Sequence, residues 1–317
     1  MARRRRPSPL PPRDGVDATR VVLRSDPSGS EAAATVGASI LAMPAGAGLS
    51  VDDLVARFDA GELLDIDGCR VDPGEASRPQ RAVYFYRDLP DEVEIPFDLD
   101  ILHSDENIVV IDKPHFLATM PRGRHVTQTA LVRLRRMFGN DEIAPAHRLD
   151  RLTAGVLLFT TRPRVRAAYQ ELFAARAARK TYMARATVDP TVATPIRIEN
   201  RILKDAGDLR ARVVAGQVNA ISDIELVDSS AGSGLYRLAP HTGRTHQLRV
   251  HMAGLGVPIE GDPLYPVVRP EIAELPDRGD FSQPLRLLAA SLTFDDPLSG
   301  RRREFVSARD LTSDPGR

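Results

Sequence analysis

His147-Arg148-Leu149-Asp150-Arg151-Leu152-Thr153-Ala154-Gly155, running directly into Val156-Leu157-Leu158-Phe159-Thr160, is the stretch that decides how this chain is read. An acid with an arginine on either side stands just ahead of an apolar, strand-like run. A strand end holds its neighbours rigidly, so Asp150 is placed as a carboxylate beside two cations. That arrangement suits a site that handles a polyanion and does chemistry with an aspartate. Alone, the pattern is equally that of a surface salt bridge before a strand. Its meaning depends on what the rest of the chain supplies.

Two further segments supply partners. One is Lys180-Thr181-Tyr182-Met183-Ala184. The other is Thr242-Gly243-Arg244-Thr245-His246-Gln247-Leu248-Arg249-Val250-His251-Met252, continued by Gly256-Val257-Pro258-Ile259-Glu260-Gly261-Asp262. The three segments, in this order, closely resemble the motifs of the RluA-type RNA pseudouridine synthases: H-R-L-D-x-x-T-S-G, K-x-Y-x-A and T-G-R-T-H-Q-[IL]-R-x-H…G-x-P-I-x-G-D. The resemblance covers about residues 98 to 306.

The resemblance implies an α+β fold, with a mixed, largely antiparallel central sheet and flanking helices. It also implies an isomerase, an intramolecular transferase that converts a specific uridine in structured rRNA or tRNA to pseudouridine. The reaction breaks the bond from C1′ to N1, turns the uracil and joins C1′ to C5. It needs no redox step, metal or cofactor. It does need an ionised carboxylate, and an aspartate of ordinary pKa near ~3.9 is one at neutral pH. By resemblance Asp150 is that group, Arg249 its salt-bridge partner, and Tyr182 the ring that stacks on the uracil. The target base must leave its stack, at a cost of about a few kcal/mol. The resemblance gives Arg148 the vacated space, with Arg151, Lys180 and Arg244 completing the RNA-binding set. The partner is RNA; no membrane and no obligatory protein partner is implied, and a monomer is expected.

Competing readings are a catalytically silent RNA-binding protein of the same fold, and a carboxylate hydrolase with Asp262 as its second acid. Pure binding has no use for Asp150, and a hydrolase wants a second acid at a defined separation. His246 and His251 are not at the spacing that aligns metal ligands on a helix, and on a strand they face opposite sides. They read as hydrogen-bonding supports, as does His147. The chain departs from the family pattern at Ala154, where serine is usual, at Pro266, where glycine is common, and at Leu288, where histidine is frequent.

The 317 residues are 42% hydrophobic, enough for well-buried cores. The 43 basic residues are balanced by 43 acidic ones, so a nucleic-acid surface must be a local patch. Cys69 is the only cysteine, which excludes an intrachain disulfide and suits a reducing cytoplasm. Residues 1–20 read as a basic, Pro-rich disordered tail. Residues 21–95 read as a small α+β region with a helix from Ser50 to Phe58, whose apolar stripe is Leu54, Val55 and Phe58, and a hairpin on Asp67-Gly68. A helix followed by such a hairpin resembles the S4 RNA-binding module, although Asp52, Asp53 and Asp59 stand where basic residues are expected; an extension that does not touch RNA is the alternative. The acidic stretch around Pro90 and Pro96 reads as a linker, leaving 96–317 as the catalytic domain.

Overall fold

Residues 8–24, 35–89 and 91–311 are described by the structure, a computed structural model. The chain divides into two units, Met1–Pro90 and Asp91–Arg317.

In the first unit, β1 (Thr19–Val22), β2 (Leu64–Asp65) and β3 (Ala82–Phe85) form an antiparallel sheet in the order β1-β3-β2. Two helices, α1 (Val36–Leu41) and α2 (Val51–Asp59), close its core of Leu23, Ile40, Leu54, Leu63 and Phe85. The Ser50 hydroxyl and the Asp53 carboxylate cap α2 reciprocally. Of the expected stripe, Leu54 is buried and Phe58 packs against the core, but Val55 is exposed. Residues 8–20 are corrected from tail to packed structure: Leu10 is buried with Ala82 and Tyr84, and Tyr86 donates to the carbonyl of Pro11. Arg3 to Arg6 lie outside the described residues.

The second unit is built on one long sheet. Its elements are β4 (Asp100–Ser104), β5 (Ile108–Lys113), α3 (Ala130–Phe138), β6 (Ala144–Pro145), β7 (Ala154–Thr160), α4 (Pro163–Ala174), β8 (Arg179–Thr187), β9 (Ile196–Leu203), β10 (Arg212–Val214), β11 (Ala220–Ser230), β12 (Ser233–Pro240), α5 (Gln247–Gly254), α6 (Pro270–Ala273), β13 (Leu287–Asp295) and β14 (Arg302–Val306). Strands follow the order β10-β9-β11-β12-β8-β13-β7-β5-β4. Every neighbouring pair is antiparallel except β13 and β7. This is the mixed, largely antiparallel α+β sheet the sequence implies.

The unbroken apolar run of β5 follows from cover on both faces. Val109 and Ile111 pack with Leu131 and Leu134 of α3, whereas Ile108 and Val110 pack with Val165, Tyr169 and Leu172 of α4. Thr129 caps α3, and Gly139 ends it in the left-handed conformation. Pro163 opens α4 at a position where its missing N–H costs nothing. A third core lies under α5, where Leu248 and Met252 meet Ala184, Ala186, Tyr236 and Leu238.

The acidic stretch after residue 90 is not a linker throughout. The Glu92 carboxylate accepts from the backbone N–H groups of Val126, Thr127 and Gln128, and Ile95 and Leu99 are buried in the α3 core. Arg133 of α3 donates to the carbonyls of Ile95 and Phe97. The unit boundary therefore falls about five residues before the expected one, because these groups satisfy the loop leading into α3.

Candidate active site

Asp150 stands on the turn between β6 and β7, and side chains distant in sequence hold that turn. The Thr119 hydroxyl donates to the carbonyl of Leu149 at 2.8 Å and accepts from its N–H at 3.1 Å. The His115 ring meets the carbonyl of Leu152 at 2.8 Å through Nδ1. Lys113, fully buried at the end of β5, donates through Nζ to the carbonyls of Pro114 (2.9 Å), Leu117 (2.7 Å) and Arg151 (3.3 Å). An ammonium has three donors, and here each has an acceptor. Burial pulls the Lys113 pKa down to about 7, against the opposing charge of Asp150. Burial also takes His115 down to about 4, so its ring is neutral. After the turn the chain must pass close to β13: a Cβ on Gly155 would lie 2.3 Å from the carbonyl oxygen of Ala289, and its φ is +108°. Only glycine fits there.

The third motif, open between strand and helix from its sequence, is a helix. Gln247 opens α5 and fastens the preceding turn. Its carbonyl oxygen accepts from the Thr242 hydroxyl and the Arg244 N–H, and its amide nitrogen donates to the carbonyl of Ile221 and to Ser222 Oγ. Arg249, in the first turn of the helix, is 3% exposed. The sequence expectation made Asp150 its partner. The structure keeps that ion pair and adds a closer one: Arg249 is forked onto the buried Asp262, Nε to Oδ2 at 2.8 Å and Nη2 to Oδ1 at 2.6 Å. Asp262 also accepts from the N–H groups of Leu264 and Tyr265. Nη1, left over from the fork, points at Asp150 Oδ2 from 3.8 Å. Burial works against the charge of Arg249, but its hydrogen bonds to Asp262, then the charges of Asp262 and Asp150, outweigh burial and raise its pKa. A fixed cation thus faces Asp150 without a hydrogen bond to it.

Tyr182 projects from β8 into the same space. Burial, then the charge of Asp150, raises its phenol above the ordinary value, so it is protonated at neutral pH. His246 precedes α5 with φ +58°; its Nε2 lies 3.9 Å from Asp150 Oδ2 and its Nδ1 3.0 Å from the Tyr265 hydroxyl. Burial takes His246 down to about 4, so the contact with Asp150 is that of a neutral ring rather than an ion pair. The Asp150 side chain is 34% exposed. An open carboxylate, a pinned guanidinium and a protonated phenol therefore share one space.

A family profile described as RNA pseudouridylate synthase matches residues 107–254. Over 218 residues the chain is 30% identical to an uncharacterized RNA pseudouridine synthase of Synechocystis sp., covering 66% of this chain and 72% of the relative. Over 212 residues it is 31% identical to the dual-specificity RNA pseudouridine synthase RluA of Vibrio cholerae, covering 63% of this chain and 79% of the relative. The solved structure of human RNA pseudouridylate synthase domain containing 4 superposes with a TM-score of 0.51 at 28% identity, covering 65% of this chain and 87% of that one. The chain belongs to the RluA-type RNA pseudouridine synthase family.

The expected RNA-binding residues of this synthase sit differently from one another. Arg148 is exposed beside Asp150. Lys180 is partly buried, with burial lowering its pKa, and its Nζ faces the Thr242–Thr245 turn, 3.9 Å from where a Cβ on Gly243 would lie. Arg244, on that same turn, is exposed and donates to the carbonyl of Asn219. Arg151 is not free: it is paired with Asp277. Arg162 and Arg164 pair with Glu106. His147 accepts from the N–H of Leu158 and stacks on Phe173, and His251 reaches Asn200. Both act as supports.

The departures at Ala154 and Leu288 turn out to be neighbours. They are in register across the parallel pair β7·β13 and pack together against Leu311. Sequence reading passed over Lys113, His115, Thr119 and Gln247. A lysine at the end of the apolar run Ile108–Ile111 was the available signal, since a buried lysine is rare unless its charge is used.

Proposed function

We propose that this synthase isomerises a specific uridine in structured rRNA or tRNA, with Asp150 acting at C1′ of the ribose. The observation that carries the reading is the pairing of an accessible Asp150 with an Arg249 whose charge is fixed by Asp262 behind it. The cation faces the carboxylate from 3.8 Å, and among the described residues its oxygens make no shorter bond that substrate would have to break. As the glycosidic bond to N1 opens, Tyr182 supports the turning uracil. The C5–C1′ bond then forms, C5 loses its proton and N1 gains one. Arg148 fills the gap left by the flipped nucleotide, and Lys180 and Arg244 hold backbone phosphate. The reading includes a monomer working in the cytoplasm without a cofactor; among the described residues no helix is long and apolar enough to cross a membrane. The second unit, Asp91–Arg317, carries the reaction, and the first is an accessory α+β unit whose acidic α2 argues against an RNA grip.

The test uses rRNA and tRNA transcripts labelled with tritium at C5 of uridine. Wild-type protein should release label and form a mass-neutral product. Asp150→Asn should fall below about a thousandth of that rate, the scale of losing a group that acts covalently, while binding RNA within a few-fold of wild type. Release by Asp150→Asn at a near wild-type rate would remove Asp150 from the chemistry.

A further inference from the structure

Arg151 follows Asp150 in sequence, yet its guanidinium serves an acid from far along the chain. Nη1 donates to Asp277 Oδ1 at 2.8 Å. The His125 ring contacts the same guanidinium and lies 3.8 Å from the same Asp277 oxygen, and Arg124 pairs with Asp277 Oδ2. One carboxylate thus presents each oxygen to a different arginine. That is the way two arginines take the two free oxygens of a phosphodiester, which carries the same single charge. The Arg124 side chain is 65% exposed, whereas those of Arg151 and Asp277 are 19% and 18%. The cluster therefore opens to solvent on its Arg124 side.

Asp277 sits in the short turn Leu275–Arg278 that follows α6. This segment is tied down at both ends. Arg269 reaches the carbonyl of Asp262, and Phe281 packs edge-on to Phe97 at 5.6 Å and lies 5.3 Å from Phe116. Between these anchors the acid is held by its ion pairs and by the backbone bonds of its own turn, and partly solvated pairs contribute little. A ribose held at Asp150 brings its flanking phosphates within reach of the next residue along. Asp277 in its observed place would repel such a phosphate.

We propose that Arg124, His125 and Arg151 form a binding site for a backbone phosphate beside the target uridine, and that Asp277 fills this site as an internal competing anion until RNA displaces it. The inference rests on the reading of Asp150 as the group that acts on an RNA ribose. It adds a threshold to binding: an RNA that cannot bring a phosphate to this point leaves Asp277 in place.

Full-length protein binding a stem-loop RNA with uridines in its loop, titrated at several salt concentrations, tests this. Asp277→Asn keeps the shape and removes the charge. It should bind severalfold tighter than wild type, and its log Kd against log salt should steepen by about 0.7 to 0.9 for each additional phosphate neutralised. Arg124→Ala, on a largely solvated side chain, should weaken binding and flatten the slope by about the same amount. Combining the two should cancel most of the gain. An Asp277→Asn protein that binds no tighter, or an Arg124→Ala protein that binds as well as wild type, makes the cluster a structural brace and overturns the inference. Should Asp277→Asn fail to fold, Arg124→Ala decides alone. Wild-type protein that binds no RNA would overturn the functional reading itself, and this inference with it.

Discussion

Two turns in this chain each carry an aspartate, and they are held in opposite ways. In the N-terminal unit, Asp65 Oδ1 accepts from the N–H groups of Asp67 and Cys69, both at 3.0 Å, and Gly68 takes the left-handed φ of +80° that the turn requires. The carboxylate is its own scaffold. The Asp150 turn is braced instead by Lys113, His115 and Thr119, on carbonyls 30 to 38 residues away in sequence. Its carboxylate has Arg249 and His246 nearby at 3.8 and 3.9 Å, beyond hydrogen-bonding distance. The difference shows how an acid is kept available for chemistry. A carboxylate that stabilises its own turn has used its lone pairs, so a reactive one must have its backbone held by something else.

That contrast can be broken in several places. The largest effect is expected from Arg249→Ala, which strands Asp262 without its partner while 1% exposed. Breaking a buried pair in this way costs about 3–5 kcal/mol, and turnover should fall as well. An unchanged Tm would show that Asp262 finds another partner.

Lys113→Met should act on turnover more than on stability, because methionine fills the site without the cost of a buried charge. Turnover is expected to drop at least about tenfold as the Arg151 carbonyl loses its donor, on the scale of ~1–3 kcal/mol for a buried group left unpaired. The pH dependence has a defined sign. With the folded pKa at about 7 and the unfolded one near ~10.4, the unfolded chain holds more protons between these values. Wild-type stability should therefore gain a rising contribution from pH 7 upward, and Lys113→Met should lose it. Urea titrations at pH 6 and pH 9 check this; equal differences between the two proteins at both pH values would contradict the burial of a titrating Lys113.

Truncation separates the two units. Removing residues 1–90 should leave the catalytic unit folded, whereas removing 1–95 also takes the Glu92 cap and the buried Ile95, at roughly 1–3 kcal/mol for each. Equal Tm values for the two truncated proteins would put the boundary back near residue 95. The smallest effect belongs to Asp65→Ala, about 1 kcal/mol for lost turn hydrogen bonds, with turnover unaltered. A change in kcat from that substitution would show that the first unit takes part in the reaction.

The same contrast explains what could be read from residues alone. Local chemistry is written locally: Ser50 and Asp53 announce the start of α2, Thr129 and Gly139 bracket α3, and Asp67-Gly68 marks its turn. The three motifs brought Asp150, Tyr182 and Arg249 to one place, since each motif also encodes the element that carries it. What sequence concealed is long-range. Nothing in Asp262 distinguishes it from a second catalytic acid until its two oxygens are found on Arg249. Arg151 looks like a free cation until Asp277, 126 residues on, is seen against it. Nor does the acidic composition of residues 91–99 show that Glu92 is tied to three backbone amides. Val55 failed for a different reason: a stripe on a nine-residue helix is wider than the strip of core that α2 meets.

The placement of β13 has a consequence for how the enzyme comes into being. Ala289 is in register with Tyr182 on one side and with Gly155 on the other, so β13 zips together the two strands that carry the chemistry. A nascent chain would have made all three motifs before this strand appears, and would lack the strand that joins β7 to β8. Contacts between such distant segments also form late and slowly in folding. The growing polypeptide therefore cannot join the two strands that carry the chemistry until β13 has been made.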